Sequence, residues 1–293
     1  MRIAGHTMGT PEYTLVEAMH LFKGIGLDGV EIIVQDGYRC ALSEQASMAE
    51  LTQVKAVADS LGMQIACLTP YQSKFNSLDP VVRQKEIDGI YQVVDFARVL
   101  GAGFIRIYAG AFVQDERDED GRKRDHLVHS LQLLGDRAQQ NGVVLVMENH
   151  FNTMTVSAAQ SIAMAELIGH PAVGILYDQA NLTFTGNEDF EVAIALQAKK
   201  IGYVHVKDFV FTGDDHEFKS SDVSHPQQDE RKVATKIVGE GMLAWPSILQ
   251  SLRNHGYDGW LSLEYERRWH PQDIPDARIG MKAGAAYLRT LGV

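Results

Sequence analysis

Short apolar runs alternate with longer amphipathic segments along almost the whole chain. The apolar runs predict eight β-strands, namely Arg2–His6, Gly29–Val34, Gln64–Leu68, Phe104–Tyr108, Val143–Glu148, Gly174–Asp178, Tyr203–Val206 and Trp260–Glu264. The segments between them repeat apolar positions at helical spacing and predict eight helices, namely Thr14–Lys23, Ser47–Leu61, Pro80–Leu100, Arg124–Asn141, Ser157–Ile168, Phe190–Lys200, Trp245–His255 and Pro275–Leu291. The regular alternation of strand and helix is typical of α/β proteins.

The predicted strands read as continuous apolar runs, which indicates burial on both faces and therefore a parallel sheet. Four predicted helices are followed by a glycine that can end the helix before the next strand: Gly62, Gly101, Gly142 and Gly256. Eight such strand–helix units predict a closed (β/α)8 barrel, the TIM-barrel fold. A doubly wound sheet is the rival architecture, but no GxGxxG motif follows the first strand.

We expect one α/β domain, a single (β/α)8 barrel, over residues 1–293. This length exceeds the roughly 250 residues typical of such barrels. Two polar segments, near 112–125 and 209–236, account for the excess as predicted loop insertions. The second follows the seventh strand, so it is expected at the mouth of the barrel, where loops carry function.

The composition is that of a globular protein, with 45% hydrophobic and 22% charged residues. The formal net charge of −11 disfavours nucleic acids and anionic membrane surfaces as partners. No apolar run is long enough to span a membrane, and the first residues lack the pattern of a signal peptide. Two cysteines, Cys40 and Cys67, do not make a disulfide framework. Together these features predict a cytoplasmic protein.

Four successive predicted strands carry metal-ligand side chains at or near their carboxyl ends: Glu148, Asp178, His205 and Glu264. The carboxyl ends of barrel strands share one face, so these side chains are expected to meet. Three carboxylates buried side by side would repel one another unless a cation joined them. Three carboxylates and an imidazole suit one divalent ion, Mn²⁺ first, with Mg²⁺, Co²⁺ or Zn²⁺ as alternatives.

The second half of the chain also resembles the xylose isomerase-like barrels, the sugar phosphate isomerase/epimerase family. The resemblance rests on five short motifs: MEN at 147–149, YDQAN at 177–181, HVKD at 205–208, GEG with WPSIL between 239 and 249, and LEYE at 263–266. It implies a TIM barrel with one divalent metal held by Glu, Asp, His and Glu from the last four strands. On that pattern the metal ligands are again Glu148, Asp178, His205 and Glu264.

In the similar ketose 3-epimerases, the two glutamate ligands remove and return a proton on opposite faces of one carbon. The resemblance therefore implies that Glu148 and Glu264 are the catalytic acid/bases. A metal on the substrate oxygens would stabilise the enediolate formed between the two proton transfers. The leading hypothesis is a metal-dependent isomerase or epimerase that acts on a ketose, keto-sugar or keto-polyol.

Further side chains are expected to face the substrate, because residues two apart on a strand point the same way. Three candidates lie two residues after a predicted ligand: His150, Lys207 and Glu266. The other substrate-binding candidates are Asn181, Arg268 and His6, with Glu31 in the second strand as an additional residue at the site.

The chain departs from the ketose 3-epimerase pattern where Met154, Asn181 and Phe211 replace a Glu, a His and an Arg. Simple ketohexose 3-epimerisation is therefore disfavoured. A lyase, such as a keto-inositol dehydratase, is the alternative, because it could use the same metal site. An endonuclease IV-like hydrolase lacks its further histidine ligands here, and a non-catalytic sugar-binding barrel would not need both glutamates. The expected partners are a small-molecule sugar or keto-sugar and further copies of the chain, as a dimer or tetramer.

Overall fold

The computed structural model describes residues 1–113, 116–213 and 232–293. Its strands are β1 Arg2–His6, β2 Gly29–Val34, β3 Gln64–Pro70, β4 Phe104–Tyr108, β5 Val144–Glu148, β6 Val173–Asp178, β7 Ile201–Val206, β8 Asp208–Phe211, β9 Val233–Lys236 and β10 Trp260–Leu263. Eight of them close into a parallel barrel in the order β1-β10-β7-β6-β5-β4-β3-β2. The predicted (β/α)8 fold is thus confirmed, and the rival doubly wound sheet is excluded because the barrel sheet has no free edge.

Helices follow the strands as the apolar spacing predicts. They are α1 Leu15–Gly24, α2 Met48–Ser60, α3 Pro80–Leu100, α4 Arg122–Gln140, α5 Ala158–Ile168, α6 Gln179–Gly186, α7 Phe190–Gln197, α8 Trp245–Asn254 and α9 Ala277–Thr290. Three of them begin with a reciprocal capping box, at Thr14, Ser47 and Ser157. No helix among the described residues is long and apolar enough to cross a membrane.

Helix α6, which is present in the structure, is not among the helices predicted from the sequence. It begins directly after β6, and the Asp178 carboxylate caps it by accepting the Asn181 N–H at 2.9 Å. Its residues Gln179–Phe184 are all buried, polar and apolar alike. The helix therefore has no polar stripe, and the hydrophobic periodicity that identifies the other helices is missing.

The segment 209–236 is predicted as a loop insertion, and the structure corrects part of this prediction. Strands β8 and β9 pair antiparallel, from Asp208 opposite Lys236 to Phe211 opposite Val233. Each strand has four residues, too few for a period-two pattern to stand out. Residues 214–231 of this insertion, and 114–115 of the first, lie outside the described residues. The last residues of the first insertion, from Arg122 onward, form the first turn of α4.

Apolar side chains fill the barrel interior below the site. One buried cluster joins Ala4, Ala66, Cys67, Val146, Leu176, Tyr203 and Trp260 from the barrel strands. Side chains alternate along a strand, so residues two positions further on point into the same interior. Two positions after Val146, Leu176 and Tyr203 come Glu148, Asp178 and His205. The alternation that packs the core therefore aims these polar groups inward at the carboxyl end.

Gly29 in β2 offers a test of the barrel packing. A methyl group added there would lie 2.7 Å from the Trp260 ring and 2.8 Å from the Gln64 carbonyl oxygen. We expect Gly29→Ala to lower the free energy of unfolding by about 1–3 kcal/mol, because this overpacks neighbours that cannot move freely. Urea unfolding measures the change. Gly103→Ala, where no atom lies within 4 Å of the added methyl, is the control; equal effects would contradict the packing argument.

Candidate metal centre and active site

The four predicted ligands meet at the carboxyl end of the barrel. One ligand atom each from Glu148, Asp178, His205 and Glu264 lies within 4.8 Å of all the others, and all four side chains are buried. His205 is central: its Nδ1 lies 3.5 Å from Glu148 Oε1, 3.9 Å from Asp178 Oδ2 and 3.3 Å from Glu264 Oε2. Spacing along the chain and the geometry of a parallel barrel thus bring together residues more than 100 positions apart.

The strand ends hold these side chains through backbone contacts. Asn149, directly after β5, donates to the Asp178 carbonyl at 2.8 Å and accepts the Asp178 N–H at 3.0 Å. Asp178 uses Oδ1 to cap α6, which leaves Oδ2 facing the cluster. Glu264 follows β10, and its N–H donates to the Val206 carbonyl at 3.0 Å, so the barrel pairing continues through it.

Glu31 orients the imidazole of His205. His205 Nε2 lies 3.1 and 3.2 Å from the two carboxylate oxygens of Glu31. Glu31 also accepts the Thr69 hydroxyl at 2.5 Å. A carboxylate can only accept, so it fixes the proton on Nε2 and leaves the Nδ1 lone pair facing the other three carboxylates. This is the arrangement in which a carboxylate supports a metal-binding histidine.

Arg106 and Asn181 contact Glu148. Arg106 Nε lies 2.9 Å from Glu148 Oε2, and Asn181 Nδ2 donates to Glu148 Oε1 at 3.1 Å. Arg106 is buried, and its guanidinium also donates to the Tyr108 hydroxyl at 2.8 Å. Glu148 therefore has fixed partners that hold its carboxylate in one orientation.

Lys207 brings positive charge to the opposite side of the cluster. Its Nζ lies 2.9 Å from Glu264 Oε2, 3.0 Å from Asp178 Oδ2 and 3.5 Å from Glu266 Oε1. Lys207 is nearly fully buried, whereas Glu266 is half-buried. The lysine therefore links the cluster to the open mouth of the barrel.

The charges shift the acidities in opposite directions. Burial, together with the carboxylates of Glu264 and Glu148, raises the pKa of Asp178 to about 7 against the opposing effect of Lys207. Burial would also raise the pKa of Glu148, but the Arg106 guanidinium and the neighbouring His205 imidazole outweigh it and lower the pKa to about 2. The carboxylates of Glu264 and Glu31 outweigh burial and raise the pKa of His205. The field at the centre of the cluster therefore favours positive charge.

The cluster has the composition of a divalent metal site, and its geometry fits one. His205 Nδ1 and Asp178 Oδ2 are buried, and neither has a hydrogen-bond partner among the described residues, although Asp178 Oδ2 lies 3.0 Å from Lys207 Nζ and 3.9 Å from His205 Nδ1. Buried polar atoms rarely remain unpaired, so atoms that converge in this way indicate a cation. A second group of ligand-type atoms joins His6, Glu31 and His205. There the Glu31 carboxylate already accepts hydrogen bonds, so it serves as support for His205.

The structure places the remaining predicted residues around this centre. His6 is buried behind His205: its Nδ1 accepts the Met8 N–H at 3.1 Å, and its Nε2 lies 3.5 Å from Glu31 Oε1. His150 is half-buried, its ring 4.9 Å from that of Tyr108. Asn181, Lys207 and Glu266 contact the cluster or its lysine, and Arg268 lies further out over Tyr38. That these residues bind substrate stays a prediction.

Sequence reasoning missed Arg106, Asn149 and Tyr71 as members of the site. Arg106 did carry a signal, since a charged residue in the apolar strand FIRIY must face either the barrel interior or the helix layer. Tyr71, just after β3, has a buried hydroxyl with no hydrogen-bond partner among the described residues. Asn149 did stand in the MEN motif at 147–149, whereas nothing in the local sequence distinguishes Tyr71 from an ordinary loop residue.

Comparison with known proteins adds to this geometry. The family model described as "Xylose isomerase-like TIM barrel" matches residues 19–291. The chain belongs to this family. This confirms the resemblance that the strand-end motifs imply, and it extends the match over both halves of the barrel.

Individual proteins that match this chain share only a low sequence identity with it. The inosose dehydratase of Lacticaseibacillus casei is 27% identical over 143 residues, which are 49% of this chain and 47% of that protein. The chain thus spans about half the length of the curated relatives it matches. Among solved structures, the probable 3-DHS dehydratase AsbF of Bacillus anthracis has a TM-score of 0.79 at 17% identity, with 99% of both chains covered. The 3-keto-D-glucoside 4-epimerase YcjR of E. coli has a TM-score of 0.75 at 18% identity, also with 99% of both covered. At such identity these structures show a common fold.

The Glu31–His205 contact generates a prediction about the metal centre. We expect Glu31→Gln to weaken Mn²⁺ binding by about 10- to 100-fold, because a neutral amide orients the imidazole less well and makes Nδ1 a weaker ligand. Calorimetric titration of chelator-treated protein with Mn²⁺ measures this affinity. Glu166→Gln, the same change at an exposed glutamate, is the control. Unchanged affinity in the Glu31 variant would contradict the supporting role.

Proposed function

We propose that this protein is a divalent-metal-dependent enzyme that moves a proton next to the carbonyl of a keto-sugar or keto-polyol, with isomerisation or epimerisation as the result. One observation carries the proposal: Glu148 and Glu264 come from barrel strands separated by those of Asp178 and His205, yet all four groups face one point. Two carboxylates on either side of a centre suit proton removal and return on different faces of one carbon.

The donor set supports Mn²⁺ as the ion, because three carboxylates and one imidazole are hard or borderline ligands. Glu148, Asp178, His205 and Glu264 would hold it. When bound, such an ion supplies a Lewis acid for negative charge on the substrate oxygens.

The residues of the chain carry the proton transfers. Glu148 is held ionised by Arg106, so it is poised to take the proton from the carbon next to the carbonyl. The C–H bond breaks, its electron pair moves toward the carbonyl oxygen, and an enediolate results. Glu264 lies on the other side, takes up a proton from solvent and gives it to the same carbon for epimerisation, or to its neighbour for isomerisation, and Glu148 then releases its own proton to solvent. Lys207, within 2.9 Å of Glu264, is placed to donate to a substrate oxygen.

Dehydration is the second candidate, and the names of the sequence relatives favour it, since several are inosose dehydratases. The reaction begins with the same proton removal. It then differs because a hydroxyl on the next carbon leaves as water after protonation by Glu264 or Lys207. In either case the partner is a small-molecule keto-sugar, and a homo-oligomer in the cytoplasm remains our expectation.

Exchange with solvent deuterium tests the proposal. We expect a keto-polyol substrate in D₂O to gain deuterium at the carbon next to its carbonyl, and NMR of the product separates an epimer, an isomer and a compound lacking one water. Glu148→Gln and Glu264→Gln should each lower kcat by at least about 100-fold, since each removes an acid/base group. Glu166→Gln, at an exposed position on α5, is the matched control. Full exchange in the double variant would contradict the two-carboxylate mechanism.

A further inference from the structure

Arg268 is a cation at the mouth of the barrel without a carboxylate partner among the described residues. Arg106 pairs with Glu148, and Lys207 pairs with Asp178, Glu264 and Glu266. The polar contact of Arg268 is a long hydrogen bond from Nη2 to Gln35 Oε1, 3.4 Å. Its Nε and Nη1 are buried and have no hydrogen-bond partner within the described ranges. Buried guanidinium donors are rarely left unpaired, so these atoms indicate a missing acceptor.

Aromatic rings hold this guanidinium in place. Its Cζ lies 3.2 Å from the centroid of the Tyr38 ring, 4.3 Å from that of Trp269 and 5.7 Å from that of Tyr71. Stacking on aromatic faces satisfies the flat sides of a guanidinium but none of its N–H groups, which point outward in the plane. The rings therefore fix the orientation of the Arg268 guanidinium, and its Nε and Nη1 remain available as hydrogen-bond donors.

Tyr71 connects Arg268 to the metal centre. The Tyr71 ring lies between the two arginines, 5.7 Å from Arg268 Cζ and 5.1 Å from Arg106 Cζ. Arg106 in turn contacts Glu148. The Tyr71 hydroxyl is buried and lacks a hydrogen-bond partner among the described residues, so it is a second unpaired donor on the same side of the mouth. Unpaired donors on Arg268 and Tyr71 thus lie on the side of the site where Arg106 contacts Glu148.

We propose that Arg268 and the Tyr71 hydroxyl form a subsite for an acidic group of the substrate, a carboxylate or a phosphate, so that the enzyme acts on a keto-polyol acid. That this acid belongs to the substrate rests on the proposed function. The subsite sets which end of the substrate lies outward and which carbon reaches Glu148 and Glu264.

Calorimetric titration tests the subsite with three matched probes: D-glucitol, D-gluconate and D-glucitol 6-phosphate. The Mn²⁺-loaded protein should bind one of the two acids at least about tenfold more tightly than glucitol, and Arg268→Met should reduce this preference by roughly ten- to hundredfold, because it removes charge-assisted hydrogen bonds. The probe whose affinity falls more in Arg268→Met identifies the acidic group, a carboxylate or a phosphate, that the subsite binds. Tyr71→Phe should reduce the preference in the same direction by a smaller factor. Arg278→Met, which removes an exposed positive charge from α9, should keep it.

Two outcomes would overturn the subsite. In one, glucitol binds as tightly as both acids. In the other, the preference survives in Arg268→Met, which would mean that the acid binds the metal directly. Equal metal content and equal thermal unfolding of the variants show that the folds are comparable. Because the titration needs no turnover, failure of deuterium exchange would reject the proposed function while an Arg268-dependent preference would still support the subsite.

Discussion

Negative charge buried at one end of an apolar barrel is the constraint on which this site depends. Glu31, Glu148, Asp178 and Glu264 lie around a single imidazole, all within the protein interior. Charges brought so close in a medium of low dielectric repel strongly, and none is solvated by bulk water. The molecule offsets this with Arg106 and Lys207, and with ligand geometry that favours a divalent cation.

The barrel makes such an arrangement possible because its strands are rigid and their ends coincide. The residues that fill the interior and those that form the site lie on the same inward face of the strands, so packing below fixes orientation above. Short contacts after the strands complete the arrangement: Asn149 ties the ends of two strands together, and Asp178 serves both as a helix cap and as a ligand-type carboxylate. The fold thus fixes the positions and orientations of the side chains at the site.

Family membership covers the fold, and the strand-end motifs imply the same carboxylate–imidazole cluster, whereas residues expected to contact substrate depart from the ketose 3-epimerase pattern. Positions where ketose 3-epimerases place their substrate contacts hold Met154, Asn181 and Phe211 here. Isomerisation, epimerisation and dehydration share the removal of a proton next to a carbonyl, so the cluster alone suits all three. Under the proposed function, the residues around it, among them Lys207 and Arg268, would decide which substrate is held and which product forms after the first proton transfer.

The alternation of apolar runs and amphipathic segments was sufficient to predict the eight-stranded barrel, because it is a local property of each strand and helix. It also identified Glu148, Asp178, His205 and Glu264 as ligand-type residues, since each stands at or near the carboxyl end of a predicted strand. Helix α6 escaped prediction because it is buried on all sides and has no polar stripe. The pairing of Glu31 with His205 joins residues 174 positions apart, and the role of Arg106 depends on which way one strand faces. Sequence by itself thus determined the scaffold and the ligand-type residues, whereas only the tertiary structure decided which charges meet, because those contacts form when distant strands close the barrel.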